Sequence, residues 1–264
     1  MNKIILGCLA AVLALTTMGG VAKTNSTYRQ KYESFMRHEG GIVIKPDSMK
    51  GRALIYNAQS VASASNLSFV AARLVGELRM KFECENGTLD GINGDWKALK
   101  ERKGAAAIVI VGENLSTPAL LVAPDEQWAV VNVSKLGDDL PTAEAKAKFL
   151  PGRVTRQIYR AFALLGGAGK PRNESPSTVR NFAELDHARE ALPVETLHQL
   201  GYQLQGHGMT HLVKATYRQA CQQGWAPAPT NEYQKAIWDN VHSVPDKPLK
   251  IEFDPATQKG KVTK

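Results

Sequence analysis

Residues 105–111 read Ala-Ala-Ala-Ile-Val-Ile-Val, an unbroken apolar run in which the last four side chains are aliphatic and mostly β-branched. Such a run predicts a buried central strand, covered on both faces, rather than a strand with one wet side. The expected fold class is therefore α/β (α+β), a mixed sheet with packed helices in the first half and a mostly helical C-terminal part. Other strands are expected at Ile42 to Ile44, Ala53 to Tyr56 and Lys81 to Glu85, the last closed by Asn86-Gly87 as a turn. Ala119 to Val122 and Trp128 to Val133, joined by Pro124-Asp125-Glu126, read as a hairpin.

Helical spacing is clearest in Asn66 to Met80, where Leu67, Val70, Ala71, Leu74 and Leu78 recur at three and four. Arg153 to Leu165 is the other strong helix. Its apolar stripe is Val154, Ile158, Ala161, Phe162 and Leu165, with Arg153, Arg156, Gln157 and Arg160 on the polar side and Gly166-Gly167 as the stop. Shorter helices are expected at Thr27 to His38, Trp96 to Arg102, Ala183 to Ala191, Val194 to Leu204, Tyr217 to Gln223 and Glu232 to Val241. Thr210 to Ala215 and Leu249 to Phe253 read as strands, the latter before a basic tail. Trp225-Ala226-Pro227-Ala228-Pro229 reads as a stiff connector pinned by Trp225.

Met1-Asn2-Lys3, the apolar Ile4 to Leu15 and the small residues Gly20-Val21-Ala22 have the pattern of a signal peptide cut before Lys23. Three regions follow: 1–22 as signal peptide, 23–168 as a strand-and-helix region with a central sheet, and 169–264 as a mostly helical region forming one compact unit with it. The chain is expected to be exported, to the periplasm or the extracellular space. Anchoring through an acylated Cys8 is not expected, because a cut there leaves too short an apolar core before it. No other segment has the run of about 18 apolar residues that spans a bilayer.

The net charge of +8, or +7 once Lys3 is removed with the leader, favours anionic surfaces such as an acidic glycan or an envelope component. The basic residues are interspersed with acidic ones, so no nucleic acid is expected as partner. Cys84 and Cys221 remain after cleavage, and they read equally as a disulfide or as two buried thiols. No C-x-x-C spacing points to redox chemistry or to a cysteine zinc site.

The order of strands and helices leading to a helix that ends in Leu164-Leu165-Gly166 resembles the N-terminal half of zinc metallopeptidases of the metzincin group, archaemetzincins in particular. That resemblance implies a helix carrying H-E-x-x-H-x-x-G-x-x-H. With Gly166 at the motif's glycine, the three ligand positions hold Tyr159, Ala163 and Gly169, and the general-base position holds Arg160. Alanine and glycine have no group that binds zinc, and a guanidinium cannot take up a proton. The resemblance thus implies a pseudoenzyme, with no catalytic residue and no cofactor.

An alternative metal centre is His207-Gly208-Met209-Thr210-His211, whose i, i+4 spacing would place two imidazoles on one helix face, with His187, Asp186 or His198 as third ligand. Gly206 and Gly208 disfavour the helix that this needs, and no glutamate follows His207. The leading expectation is an exported, soluble, non-catalytic binding or envelope-associated module. The alternative is a metal-dependent hydrolase using His207 and His211.

Overall fold

The run at residues 105–111 becomes the third strand of a five-stranded sheet in the computed structural model, which describes residues 26–168, 181–243, 250–254 and 259–263. In chain order the elements are α1 (Ser26–His38), β1 (Ile42–Ile44), β2 (Ala53–Ala58), α2 (Ala64–Leu78), β3 (Phe82–Gly87), α3 (Trp96–Arg102) and β4 (Ala107–Gly112). Then come β5 (Leu120–Ala123), β6 (Trp128–Asn132), α4 (Val133–Leu136), α5 (Ala143–Leu165), α6 (Phe182–His187) and α7 (Val194–Gly206). The remainder is β7 (Lys214–Thr216), α8 (Tyr217–Gln222), α9 (Glu232–Ser243), β8 (Lys250–Asp254) and β9 (Lys259–Thr263). The described residues form two units, 47–212 and a second made of 26–46 with those from 213 onward. The first unit takes in residues on both sides of position 168. The signal-peptide segment, Cys8 and Gly169 lie outside the described residues.

In the first unit the sheet order is β3-β2-β4-β6-β5. Strands β3, β2, β4 and β6 are parallel, and β5 returns antiparallel to β6 as an edge strand. Alternation along the strands sorts their side chains into two layers. Leu54, Tyr56, Ile108 and Ile110 meet Trp96 and Leu99 of α3. Ile55, Val109, Val111 and Val131 meet Leu67, Val70 and Leu74 of α2, Ile158 and Phe162 of α5, and Leu200 and Leu204 of α7. Each fully buried leucine or isoleucine in these layers contributes about 1.5–3 kcal/mol of transfer free energy. The five residues that carry the periodicity of α2 are the five it buries.

Asn86-Gly87 is not a turn but the end of β3, paired in register with Asn57 and Ala58. Asn57 Nδ2 donates to Asn86 Oδ1 at 2.8 Å, and a Cβ on Gly87 would collide with the Tyr56 hydroxyl. That glycine therefore leaves room for the Tyr56 ring, whose hydroxyl donates to Thr88 O at 2.8 Å. Helix α5 begins ten residues before the expected Arg153, because Thr142 caps it by accepting from Ala145 N at 3.0 Å and the helix runs through Pro151. The proline forfeits one backbone bond within a helix of 23 residues. Helix α6 ends at His187, short of the expected Ala191.

Only Lys214 and Ala215 of the strand expected at 210–215 belong to one, which extends to Thr216, because Thr210 N and Leu212 N instead donate to Lys50 O and Arg79 O. In the second unit, β7 pairs antiparallel with β1, and Tyr217, Cys221 and Ile237 form the buried centre. The proline connector is held by Tyr217, whose hydroxyl donates to Pro227 O at 2.9 Å, and by half-buried Trp225, whose backbone N–H donates to Ala220 O at 3.0 Å. Strands β8 and β9 pair antiparallel, so part of the expected basic tail is a strand. No described helix is long and apolar enough to cross a membrane.

Candidate functional site

The polar side of α5 is not a solvated face. Arg153 and Gln157 are each 2 % exposed, and α6 packs against the helix that carries them. Arg153 donates from Nε and Nη2 to both carboxylate oxygens of Asp186, at 2.8 and 2.7 Å, and from Nη1 to Leu136 O at 2.7 Å. Asp139 takes two further bonds from the same guanidinium. Arg156 donates to Ala188 O at 2.8 Å and pairs with Glu190. Two arginines of the helix thus hold the chain from 186 to 190 against it, and the next residues along the same side, Gln157 and Arg160, are left facing a cleft.

That cleft has a volume of about 470 Å³. Edge strand β5 supplies Leu120 and Val122, α5 supplies Gln157, Arg160 and Leu164, and Asn181 with α6 residues Phe182 and Leu185 closes the third side. The walls are apolar and the polar groups are concentrated on α5. Gln157 Oε1 and Arg160 Nε are shut off from solvent and have no hydrogen-bond partner among the described residues. Burial pushes the Arg160 guanidinium below its ordinary value, and it stays protonated at neutral pH. Apolar walls with a few convergent polar groups are the usual composition of a ligand site.

Among the described residues placed at motif positions, only Arg160 reaches the cleft. Tyr159 and Ala163 are fully buried in the core with α2 and the sheet. Gly166 caps α5 against Leu200 of α7. Burial pushes the Tyr159 hydroxyl up to about 12, in a setting that includes Arg73, Glu77 and Glu190, and the hydroxyl has no partner among the described residues. Tyr159→Phe is therefore expected to leave the unfolding free energy unchanged or raise it by up to about 1 kcal/mol in urea titration, since it deletes an unpaired buried group. A loss beyond about 1 kcal/mol would mean that the hydroxyl is bonded.

The histidines do not converge. His207 caps the exposed end of α7, His187 and His198 are exposed, and His211 Nδ1 lies 2.8 Å from Leu78 O. Asp186 is committed to Arg153. Among the described residues no group of three or more His, Cys, Asp or Glu side chains is placed to hold a metal ion. Cys84 and Cys221 both carry thiols, and burial pushes that of Cys221 up. The sequence offered no direct sign that Gln157 belongs to a site. The available signal was its i, i+3 relation to Arg160, which places both on one helix face.

No family model matches the sequence, and no curated protein matches it. Two solved structures are similar in fold. A zinc-dependent peptidase from Methanocorpusculum labreanum is 16 % identical, covering 57 % of this chain and 100 % of that one, with a TM-score of 0.41. Archaemetzincin from Methanopyrus kandleri is 14 % identical, covering 62 % of this chain and 99 % of that one, with a TM-score of 0.44.

Proposed function

We propose that this chain is an exported, non-catalytic binding protein whose ligand site is the cleft between β5, α5 and α6. The observation that carries the reading is the composition of the cleft: among the described residues, none of its lining side chains is a carboxylate, imidazole, thiol or hydroxyl. General acid–base and nucleophilic catalysis need such groups within reach of the reacting atoms. What the cleft offers instead is a fixed cation, two amides and apolar walls, which can hold a ligand and orient it. The leader pattern supports export, and the positive charge of the mature chain supports an envelope protein or an anionic glycan as the wider partner.

The test is to incubate the full chain with a mixture of peptides, once with added zinc and once with chelator, and to recover the peptides by mass spectrometry. The proposal predicts that all are recovered intact under both conditions. Zinc-dependent cleavage that disappears in His211→Ala would overturn it and establish the hydrolase.

A further inference from the structure

Gln157 and Arg160 sit one helical turn apart on α5, both line the cleft, and each has one shielded polar atom without a partner among the described residues. The two atoms are of opposite kind. Gln157 Oε1 is an acceptor and calls for an N–H, whereas Arg160 Nε donates and calls for an oxygen, best an anionic one. Gln157 is 2 % exposed, so its orphaned oxygen lies in a low-dielectric setting where a missing bond costs about 1–3 kcal/mol. No described carboxylate is bonded to or paired with Arg160. Its neighbours Arg153 and Arg156, by contrast, are matched to Asp139, Asp186 and Glu190. The walls opposite, Leu120, Val122, Phe182 and Leu185, want apolar surface.

An N–H and a carboxylate on either side of one Cα that bears an apolar side chain describe the last residue of a peptide chain. Resting on the binding role proposed above, we infer that the cleft takes the free C-terminus of a peptide ending in an apolar residue. The terminal carboxylate accepts from Arg160, the last amide N–H donates to Gln157 Oε1, and the side chain lies between β5 and α6. A volume of about 470 Å³ accommodates the terminal residue and part of its predecessor. The ligand's hydrogen-bond pattern is what separates it from a simple fatty acid, which brings the carboxylate without the N–H.

The test uses the full chain and titration calorimetry with three probes: an N-acetylated pentapeptide ending in two leucines, the same peptide as its C-terminal amide, and hexanoate. The free acid is expected to bind one per chain, and the amide at least about tenfold more weakly, as loss of a charge-assisted bond requires. Arg160→Met should erase the difference between acid and amide, and Arg160→Lys should restore part of it. Hexanoate is expected to bind more weakly than the peptide acid. Equal affinity for acid and amide overturns the inference, and it does so on the unmutated protein, whatever the variants do. Equal affinity that is lost in Leu164→Trp, which fills the cleft, would sink the carboxylate assignment while leaving the binding role intact. Recovery of cleaved peptide would sink the binding role itself. No saturable binding of the acid below about 1 mM also overturns the inference.

Discussion

Asp186→Asn is expected to lower the unfolding free energy by about 3 kcal/mol, because it leaves a shielded guanidinium short of one charge. The Arg153 side chain is 3 % exposed and that of Asp186 18 %. The Asp186 carboxylate meets the guanidinium as a two-pronged pair, which adds geometry to charge. Asp139, the remaining partner, has a side chain 48 % exposed, so water already screens it. Asp139→Asn should therefore cost only about 1 kcal/mol or less. Replacing both members, as Arg153→Met with Asp186→Leu, should recover most of the loss, since apolar packing of similar volume commonly equals or betters a buried pair.

The consequence reaches the cleft. The Arg153 guanidinium lies 4.9 Å over the Phe182 ring, and Asp186 is on the short helix that carries Phe182 and Leu185 into the wall. Asp186→Asn should weaken ligand binding as well as stability, whereas Asp139→Asn should leave binding nearly unchanged. Denaturant titrations and calorimetry on the two variants separate these outcomes. The hydrogen bonds from Arg153 hold the Asp139 carboxyl below its usual range. Its contribution is fully present above the unfolded value, about 3.9, and is lost as pH falls through the lower folded one. Acid unfolding should therefore steepen below about pH 4, and Asp139→Asn should flatten that slope.

Gly166→Ala is expected to cost up to about 3 kcal/mol, the upper end for overpacking a buried contact. The residue has φ −76°, which any amino acid adopts, so its glycine is not there for a turn. An added Cβ would stand 2.7 Å from Leu200 Cα and 2.9 Å from Leu200 N, atoms of the α7 backbone that have no rotamer to move to. Helices α5 and α7 would have to part, and with them Leu200 and Leu204 would lose contact with the core. Gly167 is the contrast, with φ +81° and nothing within 4 Å of an added Cβ. Gly167→Ala should cost about 1–2 kcal/mol through left-handed strain alone. A Gly166→Ala protein within about 0.5 kcal/mol of the parent would show that the helices are not held this closely.

The central strand, the apolar face of α2 and the hairpin of β5 and β6 were legible because each rests on local pattern: a continuous run, spacing at three and four, and a proline-led turn. The polar side of α5 was not. Four long polar side chains at helical spacing look the same whether water or a second helix covers them, and only the tertiary placement of Asp186 and Glu190 turns Arg153 and Arg156 inward. The start of α5 was hidden by Pro151-Gly152, where local propensity argues for a break that the cap at Thr142 and the packing beyond it override. Arg160 was legible as a site residue only through its place in a motif. Gln157 became visible once its unpaired oxygen had a cleft to face.

The most direct measurement is equilibrium dialysis of the full chain against the leucine-terminated peptide, followed by mass spectrometry of what is retained. One intact peptide held per chain, displaced in Leu164→Trp, is the predicted result. Peptide recovered as fragments, or retention unaffected by filling the cleft, would contradict the account.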